Sequence, residues 1–147
     1  MSNQQLSNAT SPSTPTTEAA RPFNAINWFE VPTSNMDRAI PFYERMLGLT
    51  LRRETFGDQP HAVFPSKCPD GGSSVAGALV TGPHLRPGSS GAVVYFDCRD
   101  GVRATLARAT AAGAKVVLAH TSIGEHGFIA IVDDPEGNRI GLHAMTT

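Results

Sequence analysis

Short runs of aromatic and branched residues alternate along the chain with polar turns, broken twice by helical periodicity. AINWFEV (25–31) and AVVYFDC (92–98) read as strands. Each is followed by a helix-start signal, Ser34 or Asn35 in the first case and Asp100 in the second. Met36, Ile40, Tyr43 and Leu47 then recur at helical spacing, as do Val102, Leu106 and Ala109. Gly48 and Gly113 stand where a left-handed residue ends a helix. Pro41 falls inside the first helix, where it removes a backbone donor and crowds the preceding turn, so a kink or tight first turn is expected. Three extended stretches follow each helix. They are LTLRRE (49–54), HAVF (61–64) and VAGALV (75–80) in the first half, and KVVLA (115–119), FIAIV (128–132) and RIGLH (139–143) in the second.

The two halves also align with each other at a constant offset of 65. Arg38-Ala39 falls on Arg103-Ala104, Gly48 on Gly113, Asn35 on Asp100, Val31 on Phe96 and Leu51 on Val116. The predicted order is strand, helix, three strands, repeated: an α+β fold of two βαβββ modules, about residues 24–81 and 91–145. The turn-rich TGPHLRPGSSG supplies the linker, residues 82–90, and the modules form one domain over residues 23–147. A four-stranded sheet with a helix on one face buries that face and leaves the other open. Residues 1–22, rich in Ser, Thr, Asn and Pro with few bulky apolar side chains, cannot offset the entropy of ordering and are expected to form a disordered, dispensable tail.

Composition narrows the partners. With 147 residues the chain can bury a core without disulfides or structural metal. Twelve basic residues against 13 acidic ones give a net charge of -1, with no basic, aromatic-interleaved patch for nucleic acid. No apolar run approaches the roughly 18 residues of a membrane span. Only Cys68 and Cys98 are present, without CxxC spacing, which fits a reduced, cytoplasmic setting. Cys68 reads as a loop thiol.

The twofold module, the FYERMLGL helix end, the AGAKV turn and the DPEGN turn together resemble the vicinal oxygen chelate superfamily, which includes glyoxalase I, extradiol dioxygenases and bleomycin-resistance proteins. The resemblance spans about residues 24 to 145. It implies a cup-shaped mixed sheet with helices on its outer face, and a homodimer, as is common among small single-chain members. In metal-dependent relatives a histidine or glutamine on the first strand of each module and a glutamate on the last strand hold an ion. By position these places fall here on Trp28, Val93, Gly141 and a residue near Ala78. None offers the imidazole or carboxylate that divalent metals want, so no metal and no cofactor is expected.

The carboxylates of Asp133-Asp134-Pro135-Glu136-Gly137-Asn138 are better explained as a turn than as chemistry. Proline pre-sets φ, glycine accepts positive φ, and Asp and Asn bond their own backbone. A calcium loop would spread its ligands over a longer stretch.

Strand alternation gathers the remaining candidates on one face. Trp28, Glu30 and Pro32 share it on the first strand, Val93, Tyr95 and Asp97 on the fifth, Arg139, Gly141 and His143 on the last, while Phe29, Val31, Val94 and Phe96 turn inward. If the superfamily's curvature holds, Trp28 and Glu30 form the floor of a pocket with Tyr95 and His143 on its walls. The ligand-binding candidates are Trp28, Glu30, Tyr95, His143, Asp97 and His126. The competing account makes Trp28 core and puts Glu30 and Asp97 at wet strand ends, the ordinary place for carboxylates. His126 belongs to TSIGEHG, a Gly-containing loop of the kind that carries function on a scaffold.

Three functions remain open. One is metal-free binding of a small molecule in the cup. Another is a lyase, isomerase or dioxygenase using metal-free acid-base chemistry or a displaced metal site drawn from His61, Glu125, His126 or His143. The third is an interaction module that kept only the fold.

Overall fold

The computed structural model of the chain describes residues 24–67 and 74–147. The tail read over residues 1–22, and Cys68, lie outside the described residues.

Among the described residues, eight strands and two α-helices follow the predicted order. The first module contains β1 (Trp28–Pro32), α1 (Met36–Leu47), β2 (Arg52–Phe56), β3 (Gln59–Val63) and β4 (Ala76–Val80). The second contains β5 (Val94–Asp97), α2 (Val102–Ala111), β6 (Lys115–Ser122), β7 (Phe128–Asp133) and β8 (Arg139–Ala144). Each module forms its own four-stranded mixed sheet, ordered β1-β4-β3-β2 and β5-β8-β7-β6. In both, the first strand runs parallel to the last and the others pair antiparallel.

Helix α1 forms for local reasons. Asn35 caps it by accepting from the Arg38 N–H at 3.1 Å, Asp37 lies in the positive first turn and Arg45 in the negative last turn. Gly48, at φ 65° and ψ 40°, takes the left-handed ending that a β-carbon would strain, and its N–H returns to the Glu44 carbonyl. Ala39, Ile40, Phe42, Tyr43 and Met46 are buried on one face, while Pro41 is exposed and the helix runs unbroken through it. The expected cap at Asp100 is corrected. Gly101 is the N-cap of α2 and makes no side-chain cap bond, because Asp100 instead binds the Arg108 guanidinium at 2.6 and 2.9 Å. Those bonds hold the Asp100 carboxyl down at about 2.

The modules share one core. Phe96 of β5 packs against Phe29 of β1, Tyr43 of α1 and Phe64, with ring centroids 5.8, 5.6 and 5.4 Å away. Arg108 of α2 donates through Nε to the Met46 carbonyl at 3.0 Å, placing a cation at the C-terminal end of α1.

The DPEGN segment is the hairpin turn between β7 and β8, as expected. The Asp134 N–H donates to the Asn138 carbonyl at 2.8 Å, and Asp134 Oδ1 accepts from the N–H groups of Glu136 and Asn138. It does more than turn the chain. Asp134 Oδ2 accepts from the Tyr43 hydroxyl at 2.6 Å, and Asn138 donates through Nδ2 to the Pro32 carbonyl at 2.8 Å. Glu136 Oε1 accepts from the backbone N–H groups of Ser34 and Asn35, the Ser34 hydroxyl and Arg38. One turn of the second module therefore clamps the start of α1 in the first.

Candidate ligand site on the sheet faces

On β1 the outward positions are Trp28, Glu30 and Pro32, and the inward ones are Phe29 and Val31, the latter buried. On β5, Tyr95 and Asp97 are exposed and Phe96 is buried. The alternation read from the sequence holds on both strands.

The outer face of the first sheet is concave at the side-chain level. Trp28 and Phe56 stand on the two edge strands of the sheet, three strand spacings apart and offset along the strands. Their ring centroids are 6.4 Å apart. The rings lean toward each other across β4, where Ala76 and Ala78, register partners of Trp28 and Glu30, add little bulk. A cavity of about 430 Å³ opens there, lined among others by Trp28, Arg52, Glu54, Phe56, Val63 and Lys67.

Polar groups converge beside it. The Trp28 indole N–H donates to Glu30 Oε1 at 3.1 Å. His61 of β3 is buried, its ring 4.4 Å from that of Phe56, with Nε2 3.7 Å from the same Glu30 oxygen. Glu54, across from His61 on β2, forms an ion pair with Arg52.

The second sheet carries the other candidates. Asp97 and His143 are register partners on β5 and β8. His143 donates through Nε2 to the His126 carbonyl at 2.7 Å. His126 ends a short 3-10 turn, Gly124–His126, its side chain largely exposed beside Glu125. Tyr95 lies across Gly141, its register partner, so a β-carbon at 141 would run into the Tyr95 ring. Glu30, Tyr95, Asp97, His126 and His143 do not line the cavity that Trp28 lines; Glu30 borders a smaller one with Arg86 and Arg139. Asp97 lines another of about 200 Å³, with Phe29, Phe96 and Arg99.

Two residues beside the Trp28–Glu30 pair carry little local signal: His61 enters the sequence only as a candidate for a displaced metal site, and Phe56 lies outside the expected β2. Alternation along Gln59–Val63 was the available signal for His61, but its value depended on the register with β2 and β4. The four residues weighed for a displaced metal site are dispersed: His61 is on the first sheet, and Glu125, His126 and His143 belong to the second module. Among the described residues no group of three or more His, Cys, Asp or Glu side chains is placed to hold a metal ion. The four family ligand places do not fit one either, since Trp28, Ala78, Val93 and Gly141 carry no metal donor and the Tyr95 ring occupies the space over Gly141.

Paired βαβββ modules, each with a mixed sheet in the order 1-4-3-2 and an open face, define the class of fold that the resemblance implied. The chain belongs to the Glyoxalase/Bleomycin resistance protein/Dioxygenase superfamily, whose family description matches residues 25–142. Among solved structures it is similar to a variant of glyoxalase I from Zea mays, with 22% identity and a TM-score of 0.61 over 80% of this chain and 45% of that one. It thus spans less than half the length of the maize enzyme. A glyoxalase/bleomycin resistance protein from Albidiferax ferrireducens T118 is 16% identical, with a TM-score of 0.59 over 81% of this chain and 97% of that one. These two likenesses speak to the fold. TnmS3, an antibiotic binding protein from Streptomyces sp. CB03234, is 26% identical, with a TM-score of 0.55 over 82% of this chain and 95% of that one. Comparison with curated proteins gave no match. Among the described residues no helix is long and apolar enough to cross a membrane.

Proposed function

We propose that this chain binds a small molecule on the open faces of its sheets, without a metal ion at the superfamily's usual position. The observation that carries the reading is Trp28 on the wall of the cavity, held by its bond to Glu30 beside it. An indole and a carboxylate joined at 3.1 Å stand beside Phe56 over an alanine floor. Concave surfaces with apolar walls and a few convergent polar groups are the usual form of small-molecule sites. Similarity to an antibiotic binding protein over most of both chains supports binding as the role. The candidates on the second sheet, Tyr95, Asp97, His126 and His143, form a companion surface. In a homodimer, that surface of one copy closes over the Trp28 face of the other.

Trp28 is the only tryptophan, so its fluorescence reports occupancy of this face. Screening planar, partly apolar compounds should yield ligands that change Trp28 emission. Glu30→Gln should weaken them by about 1–3 kcal/mol, the cost of leaving a charged partner unpaired. Binders that bypass Trp28, with affinities unchanged by Glu30→Gln and by Trp28→Phe, would refute the site.

A further inference from the structure

His61 has a fixed tautomer. Its Nδ1 lies 2.8 Å from the Gln59 carbonyl, which can only accept, so Nδ1 carries the hydrogen and Nε2 of the neutral ring is a bare acceptor. The ring cannot readily swing away, since it is buried and packed against Phe56. Nε2 faces Glu30 Oε1 at 3.7 Å, beyond hydrogen-bond length. An imidazole lone pair and a carboxylate oxygen cannot satisfy each other. Both are turned toward one point, and the Trp28 N–H fixes the carboxylate from another side.

β1 contributes Glu30, β2 contributes Glu54 and Arg52, β3 contributes His61, and β4 presents Ala76, Ala78 and Val80. Lys67 also lines the cavity beside Trp28, so charges of both signs are present, and of these groups Glu30 is the one that faces the His61 ring. The guanidinium is already paired with Glu54 and is three-quarters exposed. A carboxylate and an imidazole acceptor, set beside aromatic rings, are complementary to a positively charged donor with more than one hydrogen.

We propose that Glu30 and His61 together read a protonated amine on an aromatic or planar body that rests against Trp28 and Phe56. The ammonium donates one hydrogen to Glu30 and a second to His61 Nε2. This rests on the small-molecule reading above and extends it to the ligand's chemical class, with His61 as a specificity residue.

Benzylammonium, benzyl alcohol and phenylacetate test this with one ring and three charges, followed by Trp28 fluorescence and calorimetry on the full chain. Benzylammonium should bind roughly tenfold tighter than benzyl alcohol, the worth of one charge-assisted hydrogen bond, and phenylacetate weakest. Glu30→Gln should weaken benzylammonium far more than benzyl alcohol and so abolish the preference for the ammonium. His61→Asn, whose amide can still donate to the Gln59 carbonyl, should reduce that preference. Equal affinity for benzylammonium and benzyl alcohol overturns the amine reading and leaves the aromatic pocket standing. No binding by any of the three probes overturns both. An ammonium preference undiminished by His61→Asn removes His61 from the site.

Discussion

The Tyr43 hydroxyl donates to Asp134 Oδ2 at 2.6 Å, tying a helix of the first module to a turn of the second across 91 positions of sequence. Tyr43 is almost fully buried, among Phe42, Phe64 and Phe96. Burial pushes its pKa well above the usual tyrosine value, and the Asp134 charge, their hydrogen bond and the Glu136 charge push the same way. A folded-state pKa raised above the unfolded one gives stability that is complete below the unfolded value, about 10, and lost as pH rises through the folded one. Tyr43→Phe keeps the packing but leaves Asp134 short of a donor. It should cost about 1–3 kcal/mol in urea denaturation at neutral pH. The variant should also lose less stability than the parent above pH 10; identical alkaline profiles would show that the hydroxyl is not the titrating group.

Glu136 makes the opposite pH prediction. Burial pushes its carboxyl up, but hydrogen bonds from Thr33, Ser34 and Arg38 outweigh that and leave the pKa lowered. Such a group contributes stability that is present above the unfolded value, about 4.3, and lost as pH falls through the folded one. Glu136→Gln should therefore cost about 1–3 kcal/mol at neutral pH and flatten the loss of stability below pH 4.5. Arg38→Ala should cost under about 1 kcal/mol, because that guanidinium is half exposed. If Arg38→Ala costs as much as Glu136→Gln, the ion pair rather than the backbone donors of α1 makes the clamp.

The third expectation concerns metal. Purified protein dialysed extensively should hold no stoichiometric transition metal by elemental analysis; about one zinc, nickel or iron per chain would refute this. Restoring a carboxylate by Gly141→Glu should cost about 1–3 kcal/mol through overpacking, because the new side chain meets the Tyr95 ring. Combining it with Tyr95→Ala should recover part of that loss, as expected for residues in direct contact.

What the sequence disclosed follows from where the pattern is local. β1 and β5 alternate cleanly, so Trp28, Glu30, Tyr95 and Asp97 could be assigned to a face from their own strands. β2 is Arg-Arg-Glu-Thr-Phe and mostly exposed, so the apolar run before it drew the predicted boundary upstream, to residues 49–54, and left Phe56 out. His61 gains its meaning from Glu30, which reaches it only after β1, β4 and β3 pair in a register set by the whole sheet. The DPEGN turn was legible because turn chemistry is local. Its grip on Tyr43 and the start of α1 was not, since nothing near Asp134 or Glu136 marks a partner about 100 residues upstream.

The last prediction is a homodimer. Each sheet has two edges, β1 and β2 in the first and β5 and β6 in the second. Edge strands left open invite pairing with another chain. Exposed apolar side chains are concentrated on the sheets: Trp28 and Phe56 on the first, Tyr95, Val116, Val117 and Leu118 on the second. Exposed apolar side chains gathered on a face mark a binding surface more often than bare solvent exposure. Closing the Trp28 face with the Tyr95 face of a second copy would cover both and bring the two sets of ligand candidates together. Light scattering at tens of micromolar should then give about twice the 15.6 kDa chain mass. Trp28→Ala with Tyr95→Ala should shift the mass toward the monomer at the same concentration, whereas His84→Ala, on the exposed linker, should leave it unchanged. A monomer at every concentration tested would sink the dimer, and the ligand would then have to be held by each face alone.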